Sequence, residues 1–208
     1  MRSRPQKSTD TRQQILDAAA RLYTRDGIAA TSMRQIAKGA GIQAGSVYNY
    51  FQSKDQITSE IFHLGISRVA DEVKQAIEQA GKSAGFRALL RAAILTHLKG
   101  FYLYGDYTAT HMRNFKQAPP KIRASTIKIR DAYEKLWAGL LKKGVAEGHI
   151  AGDVDLKLAR LLLLGSMNWT LEWFRPSGRY SLEHMCLTIE RMFLDGYGKA
   201  SKPRAAKA

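Results

Sequence analysis

An all-α fold is predicted by three features of this 208-residue sequence: apolar residues recur at helical spacing almost throughout, alternating period-two runs are scarce and short, and glycine- or serine-containing breaks separate the periodic stretches. With 45% hydrophobic and 25% charged residues, the chain has a globular composition and is too apolar for a disordered one.

About nine helices are expected. The first covers residues from 9 or 10 to 26, with Ile15, Leu16, Ala19, Leu22 and Tyr23 as its apolar stripe and Gly27 as its stop. Thr31 and Ser32 cap a short second helix, 33–40, and Gly41 ends it with Ile42 closing the corner against the core. A very short third helix spans 44–50, and a fourth spans 53–80. Gly81-Lys82-Ser83-Ala84-Gly85 is the clearest internal break and marks the expected domain boundary, with the fourth helix connecting the two parts. Further helices are expected at 86–103, 107–114, 120–147, 155–174 and 182–197, with Pro120 suited to a first turn and Gly148 and Gly152 flanking a break. The predicted division is 1–54 for a small N-terminal unit of three helices, 81–198 for a larger helical unit, and 199–208 for a basic, disordered tail.

Charge narrows the choice of partner. Lys and Arg number 33 against 18 Asp and Glu, a formal net charge of +15, which favours an anionic partner, either nucleic acid or a charged metabolite. The lone cysteine, Cys186, has no intramolecular disulfide partner. The polar start, Met1 to Asp10, lacks the apolar core of a signal peptide, and the most apolar stretch, 158–174, contains Arg160, Asn168 and Glu172. A cytoplasmic protein without a membrane span is therefore expected.

Three short helices joined by tight turns, the second and third separated by Ala40-Gly41-Ile42-Gln43, describe a helix-turn-helix whose third helix can enter a major groove. Residues 1–50 carry eight bases against three acids. Gln43, Ser46, Tyr48, Asn49, Tyr50 and Lys54 offer amides, hydroxyls and an ammonium suited to phosphates and base edges, and Gly45 removes a side chain at the closest approach. Tyr48 and Tyr50 also suit the packing of a small three-helix core, and Arg34 and Lys38 also suit solvated charges.

The run from Thr31 to Lys54, TSMRQIAKGAGIQAGSVYNYFQSK, resembles the DNA-binding signature of the TetR family of transcriptional regulators. That resemblance implies an all-helical homodimer with an N-terminal helix-turn-helix, a variable C-terminal ligand-binding core and repression relieved by a small molecule. It further implies that Arg34 reaches a base, that Gln43, Ala44, Gly45 and Ser46 face the groove, and that Tyr48, Tyr50 and Lys54 contact phosphates. Thr31, Ser32 and Asn49 complete the expected double-stranded DNA surface. Tyr50 stands where many members have His.

Downstream, His97, Phe101, Tyr104, His111, Met112, Phe115, Trp137, Asn168, Trp169 and Trp173 form a mixture that lines apolar pockets with a few polar anchors, and lines ordinary helical cores as well. The histidines lack metal-ligand spacing, and neither a phosphate-cradling glycine motif nor a nucleophile elbow is present, so no metal, no cofactor and no enzymatic activity are expected. From Lys99 to Arg130 seven bases, Arg113 among them, face one acid, Asp106. Such a stretch suits an anionic or phosphate-bearing ligand, and equally a solvated face or a surface touching DNA.

The segment Asn168 to Gly178, NWTLEWFRPSG, resembles TetR-family regulators of fatty-acid and steroid-ring catabolism, several of which respond to acyl-CoA thioesters. It implies Trp169 and Trp173 beside an acyl pocket, with some of Arg113, Lys116, Arg123 and Lys128 on the CoA phosphates. The last two helices, with Leu156, Ala159, Leu162, Leu163, Ser166 and Thr170 on one and Met185, Leu187, Ile189, Met192 and Phe193 on the other, are apolar enough to pair with a second copy. The expectation is thus a homodimeric, ligand-responsive repressor released from a pseudo-palindromic operator by a small hydrophobic anionic effector such as an acyl-CoA. The competing readings are a ligand-independent architectural DNA-binding dimer, an efflux regulator answering a hydrophobic drug, and an enzyme with a basic pocket.

Overall fold

A computed structural model describes residues 5–81 and 83–196. Eight α-helices and two 3-10 helices make up the described residues, which contain no strand. Helix α1 is Pro5–Asp26 and α2 is Met33–Gly39, followed by a 3-10 helix at Ala44–Asn49. Then come α3, Lys54–Ala80, α4, Phe86–Leu103, and α5, Gly105–Asn114, which runs into a 3-10 turn at Phe115–Gln117. The chain closes with α6, Pro120–Ala146, α7, Leu156–Trp173, and α8, Leu182–Leu194. Helix α1 starts earlier than its apolar stripe requires, and α5 starts at Gly105 instead of 107. The expected third helix is a 3-10 helix, because a six-residue segment containing Gly45 is too short to nucleate α-turns well. The expected end at 197 and the tail 199–208 lie outside the described residues.

Local signals place the N-terminal elements. The Ser32 hydroxyl accepts from the Gln35 backbone N–H (3.3 Å) while the Gln35 side chain accepts from the Ser32 N–H (2.8 Å), a capping box that starts α2. Gly41 ends it at φ +70, a conformation in which the absence of Cβ matters, and the Ile42 N–H returns to the Ala37 carbonyl (3.0 Å). Ile15, Leu16, Tyr23, Ile36, Val47, Phe51, Ile57 and Ile61 form one buried cluster under these turns. A second and larger cluster joins the later half of α3 to α4, α6, α7 and α8 around Trp137, Leu90, Ile94 and Met167. There Arg91 donates to the buried carboxylate of Glu190 (2.7 Å), tying α4 to α8.

Helix α3 contributes to both clusters. It also lies close against α5: a Cβ added at Gly65 would sit 2.7 Å from the Tyr107 carbonyl oxygen. Helix α5 in turn packs on α1. The Tyr107 hydroxyl donates to Asp17 (2.5 Å) and accepts from Gln13 (2.8 Å), and the Thr110 hydroxyl donates to the Ala20 carbonyl (3.2 Å). The guanidinium of Arg68 on α3 lies over both Tyr104 and Tyr107, closing a three-helix joint.

Candidate functional site

Two sites are built on this frame. The first is the outer surface of α2 and the following 3-10 helix. Val47 and Phe51 point inward and are fully buried, which leaves Gln43, Ala44, Gly45, Tyr48 and Asn49 exposed on the opposite side. Tyr48 is 57% exposed, so core packing does not account for it. Ser46 and Tyr50 are half-buried, and Ser32 and Arg34 are exposed at the start of α2. A Cβ at Gly45 would meet nothing within 4 Å, so its glycine is not demanded by the fold. Thr31 and Lys54 stand apart from the other expected DNA-facing residues. The Thr31 side chain is buried and donates to the Gly27 carbonyl (2.8 Å), and the Lys54 ammonium donates to the carbonyls of Ile28 (2.8 Å) and Thr31 (2.9 Å). Both brace the α1–α2 loop.

The second site is a cavity of about 310 Å³ enclosed by α3 to α7. Gly65, Ile66 and Val69 of α3, Phe101 of α4, Met112 of α5 and Leu161 and Leu164 of α7 make its walls apolar. Its polar groups are His97, Thr108, His111, Arg130, Tyr133, Glu134 and Asn168. His97 is hydrogen-bonded at Nδ1 to the Tyr133 hydroxyl (2.7 Å) and at Nε2 to Asn168 Oδ1 (3.2 Å). An amide oxygen only accepts, which assigns the proton to Nε2 and makes the tyrosine the donor to Nδ1. Burial pushes the His97 pKa down to about 3, and burial together with the Arg130 charge pushes that of His111 down to about 4. Both rings are neutral at pH 7, and His111 Nε2 finds no hydrogen-bond partner among the described residues. Arg130 faces Glu134 (3.4 Å), which also pairs with Arg160 (2.8 Å).

Of the expected ligand residues, the fold therefore gathers His97, Phe101, His111, Met112 and Asn168 at the cavity. Trp137 is wholly buried behind His97, with ring centroids 5.9 Å apart, and Phe115 packs beside His111 beneath Arg130. Tyr104 lies in a separate cleft with Arg68 and Tyr107, its hydroxyl donating to Glu72 (2.5 Å). Arg113 is exposed and paired with Glu172 (3.2 Å). Trp169 and Trp173 stand on the outside of α7, 65% and 48% exposed, in a groove shared with α8. Sequence inspection passed over Tyr133 and Glu134 and noticed Arg130 only as the end of the basic stretch 99–130. Their signal was present, because Arg130, Tyr133, Glu134 and Trp137 repeat at i, i+3, i+4 and i+7 and so share one face of α6.

Family comparison bears on both sites. The profile described as "Bacterial regulatory proteins, tetR family" matches residues 15–61, and that described as "Tetracyclin repressor-like, C-terminal domain" matches residues 84–197. The chain belongs to the TetR family. As a TetR-family member it is a DNA-binding transcriptional regulator with a helix-turn-helix and a helical ligand-binding part, and the family comprises regulators, not enzymes. It is 27% identical to the HTH-type transcriptional repressor KstR2 of Rhodococcus jostii, over 89% of this chain and 90% of that protein. It is 24% identical to the fatty acid metabolism regulator protein of Bacillus subtilis, over 88% of this chain and 93% of that protein. Among solved structures, the TetR family transcriptional regulator PfmR from Thermus thermophilus superposes with a TM-score of 0.79 at 29% identity, covering 89% of this chain and 99% of that one. Among the described residues, no helix of this TetR-family chain is long and apolar enough to cross a membrane.

Proposed function

We propose that this TetR-family regulator is a homodimeric repressor that leaves a pseudo-palindromic operator when the acyl or ring portion of an acyl-CoA thioester fills the α3–α7 cavity. The observation that carries this reading is the joint between cavity and helix-turn-helix. The cavity is walled by Gly65 of α3 and by Thr108, His111 and Met112 of α5, and α5 is hydrogen-bonded to α1 through Tyr107, Asp17 and Gln13. A ligand that displaces α5 from α3 moves the reading surface with it. A coupling of about 1–3 kcal/mol, roughly 5- to 150-fold in operator affinity, makes a working switch, provided the ligand prefers the DNA-incompetent arrangement.

The effector class is supported by the apolar walls and by the similarity to a fatty acid metabolism regulator. Its volume of about 310 Å³ suits an acyl chain or a ring system, and this reading puts the nucleotide outside it. Arg130 is the one member of the basic stretch 99–130 among its lining residues. In this reading residues 1–54 form the DNA-reading domain, α3 connects the two parts, α5 transmits, and residues 81–198 bind effector and partner. Gln43 to Ser46, Tyr48, Asn49 and Tyr50 meet the duplex with Ser32 and Arg34, while Thr31 and Lys54 hold the loop that orients them.

The test is binding of a fluorescent fragment from the gene's upstream region, at fixed salt, with a panel of acyl-CoA thioesters and the matching free acids. Release by a thioester and not by its acid is expected, and indifference to the whole panel overturns the effector class. Replacing Tyr48 with Ala should weaken operator binding about tenfold or more while leaving stability within about 0.5 kcal/mol, since its ring is exposed. Unchanged binding in the same assay would remove Tyr48 from the interface.

A further inference from the structure

Between Tyr107 and Arg130 the sequence carries six bases, Arg113, Lys116, Lys121, Arg123, Lys128 and Arg130, and no acid. The fold sorts them. Arg113 is paired with Glu172, and Arg130 turns to Glu134 at the cavity wall. Lys116, Lys121 and Lys128 are exposed and form no ion pair among the described residues. Arg123 sends one N–H to the Lys116 carbonyl (3.0 Å), fixing the turn Phe115–Gln117 against α6. Lys116, Lys121 and Arg123 are not among the residues lining the cavity.

Their place is at the helix-turn-helix end of the molecule. Phe62, Ala118 and Ile122 form a buried cluster with Ile28 of the α1–α2 loop, the loop whose carbonyls Lys54 holds. His63 on α3 is hydrogen-bonded to Ser125 on α6 (3.2 Å). Lys121 lines the same surface cleft as Ser53, the N-cap residue of α3, with Asp55 as the carboxylate there. Three residues separate Ser53 from Asn49 of the 3-10 helix, so the cleft that Lys121 lines adjoins the end of the reading segment.

We infer that the effector-binding half of the chain carries a DNA-backbone surface of its own, in which Lys116, Lys121 and Arg123 hold phosphates beside the helix-turn-helix and lengthen its footprint. Charge complementarity and continuity with the reading surface select duplex DNA as the occupant. The inference rests on the DNA-binding reading and adds to it a contact through the element that also borders the cavity. Phosphate contacts carry no sequence information, so the surface raises affinity on every duplex and leaves specificity to the helix-turn-helix.

The experiment uses the full-length chain and the duplex it selects from a random library, extended by flanking base pairs, with a shuffled duplex in parallel. Affinities are measured by fluorescence anisotropy from about 50 to 200 mM salt, where each phosphate contact contributes about 0.9 to the slope of log K against log salt. The variant Lys116→Gln/Lys121→Gln should lose roughly tenfold in affinity on both duplexes and flatten the slope by about 0.9 per contact removed. The variant Lys135→Gln/Lys142→Gln removes the same charge farther along α6, with Lys142 about 30 Å from Lys121, and should leave the slope unchanged. Arg123→Gln, checked for folding by circular dichroism, provides an independent variant. Wild-type slopes in the first variant, or equal losses in the remote control, overturn the surface. So does a changed affinity for an acyl-CoA with an unchanged DNA slope, which assigns these lysines to the nucleotide. Failure of the wild-type chain to select any duplex removes the DNA-binding reading itself and the surface with it.

Discussion

His97 and His111 show what burial does to a single residue. Each ring is held neutral inside the fold, while in the unfolded chain it gains a proton near pH 6.5. The unfolded state therefore binds more protons below that value, and the stability present above pH 6.5 is lost as pH falls toward the folded values of about 3 and about 4. At pH 5 each histidine costs about 2 kcal/mol relative to pH 8, together about 4 kcal/mol. Urea unfolding at pH 8, 6.5 and 5 measures this, and a flat profile across that range would contradict the buried, neutral assignment. The same neutrality shapes recognition: the His97, Tyr133 and Asn168 network presents hydrogen-bonding groups without charge, which suits a carbonyl or hydroxyl better than a carboxylate.

At the scale of elements, function depends on how α5 is held between α3 and α1. Gly65 permits the close approach of α3 to α5, and Gly65→Ala would drive a methyl group into the Tyr107 carbonyl. The expected loss is about 1–3 kcal/mol in urea denaturation, and a variant as stable as the wild type would show that the helices yield freely. Tyr107→Phe tests the other side. It deletes the hydrogen bonds to Asp17 and Gln13, costs about 1 kcal/mol, and loosens α5 from α1 without touching the reading surface. The ratio of operator affinities without and with the releasing thioester should shrink in this variant. A ratio equal to that of the wild type would place the transmission elsewhere.

For the whole molecule, the proposed homodimer has to set two reading surfaces a fixed distance apart. Leu158, Leu162, Trp169 and Trp173 on α7 and Leu187 and Met192 on α8 leave an apolar face exposed that the protomer does not cover. Some residues expected on that face serve the protomer instead: Leu163, Thr170, Met185 and Ile189 are buried in its own core. Leu162, 65% exposed, is the sensitive position. Leu162→Asp should give a folded monomer by sedimentation velocity and abolish high-affinity operator binding, because two half-sites about 34–36 Å apart need two linked readers. A dimer that survives this change would move the interface away from α7.

Much of this was legible in the residues. The periodic stripe of α1, the Ser32 to Gln35 cap, the glycine stops at 27, 41 and 81 and the run 31–54 each act through neighbours within a few positions, so the order of helices and the DNA-reading segment could be read directly. The cavity could not, because residues more than sixty positions apart, such as His97 and Asn168, meet only after five helices pack. Periodicity says that an aromatic lies on an apolar face, and it does not say which neighbour covers that face. Thus Trp137 went to the core, Trp169 and Trp173 to the outer groove, and Lys121 to the cleft beside Ser53. Local helix and turn chemistry is written in the sequence at short range, whereas which face meets which is decided by the global competition to bury apolar surface, and that competition is settled only in the folded chain.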